Sequence, residues 1–137
     1  MNIYLEPGTK APTRAHETDA GLDIYSRETM LVPAHGNAVF HTGVHIELPH
    51  CTAGLLKSKS GLNVLHDITS DGVIDEGYSG EIVVKLYNNG EHDYWVQEGD
   101  KISQLLVVPV QYERVKIVKT AKGGIRGNAG FGSTGKK

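Results

Sequence analysis

An all-β fold, a sandwich or barrel, is what this sequence predicts, and three observations predict it. Apolar runs are short and recur at roughly ten-residue intervals between turn-forming Gly, Pro, Asn and Asp. Seventeen glycines suit a chain that turns often. No segment sustains the apolar repeat of an amphipathic helix. A length of 137 residues allows one domain with a sizeable core and leaves no room for a second.

In order, the expected strands are Ile3 to Leu5, Leu22 to Tyr25, Thr29 to Val32, Ala38 to Phe40, Val44 to Leu48 and Ala53 to Leu56. One helical turn is expected around Ser60 to Leu65. Two extended segments, Gly72 to Asp75 and Ser79 to Tyr87, then flank the turn-prone Asp75-Glu76-Gly77 and read as a β-hairpin. Tyr94 to Val96, Ile102 to Val110 and Val115 to Val118 complete the series. There is no internal repeat and no linker.

A net charge of -2 and a pI near 6.4 argue against a nucleic-acid polymer or an anionic membrane as the main partner. No apolar run is long enough for a membrane span, and Met1-Asn-Ile-Tyr-Leu-Glu6 lacks a signal-peptide pattern, so a cytoplasmic protein is expected. The single cysteine, Cys51, excludes an internal disulfide and fits a reducing compartment; it is expected to be a buried structural thiol. His41 and His45 share a strand face but lack a third ligand, so no zinc site is expected.

The most informative stretch is Thr69-Ser-Asp-Gly-Val-Ile-Asp-Glu-Gly-Tyr-Ser-Gly80. A narrow hairpin there offers main-chain N–H and C=O groups in a fixed row. Such a row complements the acceptor, donor, acceptor edge of uracil and opposes the exocyclic amine of cytosine. Tyr78 suits the flat face of a sugar, and the Asp75 carboxylate at the mouth suits a bound water.

Four further stretches carry candidate chemistry. In Glu17-Thr-Asp-Ala-Gly-Leu-Asp-Ile-Tyr-Ser26, Asp19 and Asp23 bracket a glycine that permits close backbone approach. Gly54-Leu-Leu-Lys-Ser-Lys-Ser-Gly-Leu62 mixes hydroxyls, Lys57 and Lys59, a composition suited to phosphate. In Glu98-Gly-Asp-Lys-Ile-Ser-Gln-Leu105, Gln104 is an amide among apolar neighbours and needs a partner. The tail, Arg126-Gly-Asn-Ala-Gly-Phe-Gly-Ser-Thr-Gly-Lys-Lys137, mimics a Walker A loop, but Lys137 stands where Ser or Thr would hold magnesium, so that reading is rejected. Arg126 and Phe131 there suit a phosphate and a base face.

These five stretches, in this order, resemble the signature motifs of the trimeric dUTPases, the dUTP pyrophosphatases. Ala20-Gly-Leu-Asp-Ile24 is similar to the first motif, with Ile24 for leucine, and Ser60-Gly61 to the end of the second, where Lys59 replaces the usual arginine. Gly72 to Gly80 resembles the third motif, Gly99 to Leu105 the fourth and Arg126 to Gly135 the fifth, the last at every fixed position.

The resemblance implies a jelly-roll-like β domain over residues 1-125, a C-terminal arm over 126-137 that closes over the site, and a homotrimer whose active sites are shared between subunits. It implies hydrolysis of dUTP to dUMP and pyrophosphate, which limits uracil in DNA and supplies dUMP for dTMP synthesis. Asp75 is then the catalytic residue that activates water. Asp23 holds waters of a Mg2+ ion riding on the triphosphate. Lys59, Ser60, Gln104 and Arg126 bind phosphates, and Lys57 shares that work. Val73, Ile74 and Val83 surround uracil, Tyr78 packs on the deoxyribose and Phe131 stacks on the base. Gly61, Thr69 and Gly132 complete the substrate-binding set. Two alternatives stay open: a dCTP deaminase of the same fold, and a nucleotide-switched regulatory protein with a protein partner.

Overall fold

Alternation of apolar and polar residues along two long segments builds the centre of the fold, because successive strand side chains point to opposite faces. In β4 (Asn37–Glu47), Ala38, Phe40, Val44 and Ile46 turn inward; in β8 (Glu81–Asn88), Ile82, Val84 and Leu86 do the same. The two strands pair antiparallel, with a register shift between His41 and His45. Thr42, buried at that irregularity, is satisfied by donating its hydroxyl to the Ile82 carbonyl.

This is a computed structural model, and it describes residues 1 to 124. The remaining elements are β1 (Asn2–Leu5), β2 (Leu22–Tyr25), β3 (Met30–Val32), β5 (Thr52–Lys57), α1 (Ser60–His66), β6 (Ile68–Thr69), β7 (Asp71–Ile74), β9 (Tyr94–Val96) and β10 (Lys101–Pro109). One sheet runs β1-β4-β8-β6, a second β2-β10-β5-β7, and β3 pairs with β9. Every pairing is antiparallel. Both sheets and the β3-β9 ribbon feed one core, with Phe40, Ile24, Ile68, Ile82, Leu86, Ile102 and Leu105 fully buried. The all-β expectation holds.

Four expectations need correction. Ala38 to Phe40 and Val44 to Leu48 are parts of one strand, since the backbone continues through the register shift. Val115 to Val118 forms no strand and finds no strand partner among the described residues, where Val115 and Ile117 are 93% and 94% exposed. Cys51 is exposed rather than buried, because it lies in the surface turn that joins β4 to β5, where its φ is a left-handed 58°. The two legs around Asp75-Glu76-Gly77 are not a hydrogen-bonded hairpin: β7 pairs with β5 and β8 with β4 and β6, so each leg follows a partner in a different sheet.

Candidate functional site

The splaying of β7 from β8 opens a cleft of about 270 Å³, lined by Val73, Ile74, Asp75, Tyr78 and Val83 among others. β7 is the edge strand of its sheet, so one row of its main-chain groups has no ladder partner among the described residues. The row of main-chain groups expected of a hairpin is thus replaced by a single strand edge. Val73 is 69% exposed and Val83 39%, an unusual outlay of apolar surface that suits a flat ring. A larger cleft, about 530 Å³, lies along β1 and shares Tyr78, but Asp75 does not line it.

Asp75 follows the last residue of β7 and is exposed. Its carbonyl accepts the Tyr78 N–H at 3.0 Å, which closes the turn. Among the described residues, no side chain or amide donates to its carboxylate. Tyr78 donates its hydroxyl to the Glu81 carbonyl at 2.9 Å, fixing the ring across the turn. Gly80 makes that pose possible, since a Cβ there would lie 2.4 Å from the Tyr78 hydroxyl. Glu76 accepts from His50, the Cys51 N–H and Tyr112. The hydrogen bonds from Tyr112 and His50 hold its carboxyl down at about 2, and the same carboxylate pushes the Tyr112 hydroxyl up to about 12.

A second group of candidates lies on β2, β10 and the β5 to α1 junction. Asp23 is buried in the middle of β2, and Lys59 and Lys101 each donate to one of its oxygens, Lys101 at 2.7 Å. Burial pushes the Asp23 carboxyl up, but the hydrogen bonds from Lys101 and Lys59 outweigh it and leave the group below its ordinary range. In return the Asp23 carboxylate raises the Lys101 ammonium. Two ammoniums, Lys59 and Lys101, thus share the Asp23 carboxylate, with Asp19 close enough to act on Lys101 as well. Lys59 is the N-cap of α1, whose first turn carries Ser60 and Gly61 and has no side-chain cap. Gln104 donates to the Ser58 carbonyl at 3.0 Å, the partner its polar character required. Gly21 lets it lie there, because a Cβ at Gly21 would meet the Gln104 Oε1 at 2.5 Å. Sequence reasoning missed Lys101; its place three residues before Gln104 on β10 was the available signal, but only the sheet register brings it to Asp23.

Register also separates the two groups. Asp23, Gln104, Lys57 and Asp71 form one row across all four strands of their sheet, and Lys57 pairs with Asp71. Asp75 stands four residues beyond Asp71, about 13 Å along the strand, and Asp23 lies about 14 Å across the sheet from Asp71. One chain therefore does not bring Asp75 to Asp23, Lys59 and Gln104. Thr69, on β6, belongs to the other sheet, where Asn89 approaches its hydroxyl at 3.4 Å. Arg126, Phe131 and Gly132, and with them the proposed arm, lie outside the described residues.

Among the described residues, no three His, Cys, Asp or Glu converge as a metal cage. His41 bonds Glu81, and His45 bonds Ser79 and Glu6, so both are engaged locally. Both Asp23 oxygens accept from ammonium groups, so the carboxylate has no oxygen open for direct coordination, and a magnesium ion there would keep its waters and compete with a lysine contact.

A family model described as dUTPase matches residues 8–135. The deoxyuridine 5'-triphosphate nucleotidohydrolase of Clostridium acetobutylicum is 43% identical over 129 residues, 92% of this chain and 89% of its own length. That of Candida albicans is 40% identical over 140 residues, 99% and 88% of the two chains. The structure is similar to that of the Staphylococcus bacteriophage 80alpha dUTPase with dUPNHPP, at a TM-score of 0.91 and 29% identity over 98% of this chain and 97% of that one. A mutant dUTPase of phage phi11 of S. aureus, described as revealing the coordination of a structural Mg(II) ion, matches at a TM-score of 0.79 and 29% identity over 87% and 96%.

Proposed function

The chain belongs to the dUTPase family, and from that premise we propose that it hydrolyses dUTP to dUMP and pyrophosphate in sites completed by a second copy of itself. The observation that carries the reading is the cleft between β7 and β8, where a sheet-edge strand, two exposed valines, Tyr78 and the exposed Asp75 carboxylate meet. Uracil lies against the β7 edge, with the exposed Val73 and Val83 beside it and the main chain of Ile74, whose side chain is buried in the core, behind it. Thr69, on the other sheet, is not brought to this cleft within one chain and would act only from another copy. Tyr78, pinned to the Glu81 carbonyl, covers the deoxyribose and leaves no room for a 2′-hydroxyl.

Asp75 takes a proton from a water whose oxygen attacks the α-phosphorus. The bond from that phosphorus to the oxygen bridging the β-phosphate breaks, and pyrophosphate leaves. The phosphates lie against the cationic corner of another copy, formed by Lys59, Ser60, Gly61 and Gln104. What supports this division is the separation of that corner from Asp75 within one chain, together with the homotrimer the motif resemblance implies. Asp23 would hold the waters of a magnesium ion, which when bound neutralises charge on the phosphates. Arg126, Phe131 and Gly132 would complete the site as an arm over the nucleotide, in a protein read as cytoplasmic.

Pyrophosphate release from dUTP, dTTP, dCTP and UTP, measured side by side, tests the reading. Release from dUTP at least about a hundredfold faster than from the others is expected. Ammonia release from dCTP would favour the deaminase instead. A regulatory role beside catalysis is favoured by the likeness to the 80alpha dUTPase, which is described as controlling transfer of virulence genes by a G protein-like mechanism. Capture of a protein partner whose affinity changes with dUPNHPP would test that.

A further inference from the structure

Glu76 follows Asp75 directly, and its carboxylate draws three donors from two other parts of the chain. Oε1 accepts from His50 Nδ1 at 2.7 Å. Oε2 accepts from the Cys51 N–H at 2.9 Å and from the Tyr112 hydroxyl at 2.6 Å. His50 and Cys51 form the turn between β4 and β5, and Tyr112 lies just beyond β10. The last two segments are themselves joined, because the Val110 N–H donates to the Cys51 carbonyl at 2.9 Å. The Asp75 side chain, by contrast, has no donor among the described residues, so within them its backbone sets its aim. That backbone is fixed on one side by Ile74, in register with Gly54 of β5, and on the other by Glu76.

We propose that Glu76 is a positioning residue for Asp75, and that Tyr112 ties the chain beyond β10 to the same turn, so that one carboxylate is clamped to aim another. A misplacement of about 1 Å at a reacting group can cost on the order of a hundredfold in rate, so a clamp of this kind acts on turnover more than on binding. The lowered carboxyl of Glu76 agrees with the three donors that meet it. The proposal rests on the reading of dUTP hydrolysis above.

Wild type, Glu76→Ala, Glu76→Gln, Tyr112→Phe and the Glu76→Ala/Tyr112→Phe double variant are compared by steady-state kinetics on dUTP and by Tm. Glu76→Ala is expected to lower kcat about tenfold or more with KM within about twofold. Glu76→Gln, whose amide oxygen can replace Oε2, recovers most of that loss. Tyr112→Phe falls between, and the double variant is no worse than Glu76→Ala alone, as expected for two groups that act as a unit. Should Glu76→Ala not fold, Tyr112→Phe carries the test alone: a fall of about threefold or more in kcat at unchanged KM supports the clamp. Unchanged kcat, a joint change of kcat and KM with a fall in Tm, or single losses that multiply in the double variant would overturn it. A wild type inactive on dUTP overturns the functional reading and the clamp together, whereas an active wild type with indifferent variants overturns the clamp alone.

Discussion

Lys59 and Asp23, 36 positions apart in sequence, meet as an ion pair in which the carboxylate is buried and the ammonium belongs to the residue whose backbone begins α1. Lys101 takes the other Asp23 oxygen, so loss of Lys59 does not strand a buried charge. Lys59→Ala should therefore fold normally and raise KM for dUTP roughly tenfold, the value of one charge-assisted contact. Lys59→Arg should lower KM below wild type, because a guanidinium fork grips two phosphate oxygens. Steady-state kinetics with a Tm control checks both.

Tyr78 and Gly80 are interdependent, since any Cβ at position 80 would collide with the Tyr78 ring. Gly80→Ala should displace the ring and reduce discrimination between dUTP and UTP roughly tenfold, with a small change in Tm. Tyr78→Ala should lose the same discrimination. Competition between the two nucleotides in one assay reads it directly.

Glu76 gives the stability an acid limb. Its carboxyl is held at about 2 in the folded chain against an ordinary 4.5, so its charged form is favoured by folding. That contribution is complete above about pH 4.5 and is lost as pH falls towards 2. Urea unfolding at several pH values should show wild type exceeding Glu76→Gln most at pH 5 and above, with the gap closing towards about pH 2.

The strands and the chemistry were not equally legible. Leu22–Tyr25 and Tyr94–Val96 fall where their apolar runs place them, because each run is bounded by turn residues. The hairpin expectation failed because local turn chemistry says nothing about β5 and β4, the distant partners that draw β7 and β8 apart. Asp75, Tyr78 and Gln104 were readable as polar or aromatic residues out of place, and the structure supplies partners for Tyr78 and Gln104. The pairing of Lys101 with Asp23 was not readable, since it exists only through the register of β10 on β2. Nor was the burial of Asp23 between two lysines, which depends on α1 starting where it does.

The separation of Asp75 from Asp23 and Gln104 makes a prediction about mixtures. Asp75→Asn and Gln104→Ala, each nearly inactive alone, should regain activity when unfolded together and refolded, because some sites then join an intact Asp75 to an intact Gln104 from another copy. Recovery of roughly a tenth or more of wild-type turnover is expected from random assortment. No recovery would mean that each chain completes its own site.

The most direct test is a single-turnover measurement on Asp75→Asn, an isosteric change that removes the proton acceptor and keeps the shape of the cleft. The account predicts dUTP affinity within about tenfold of wild type and a chemical step slowed at least about a hundredfold. A chemical step near the wild-type rate would remove Asp75 from the reaction and contradict the account.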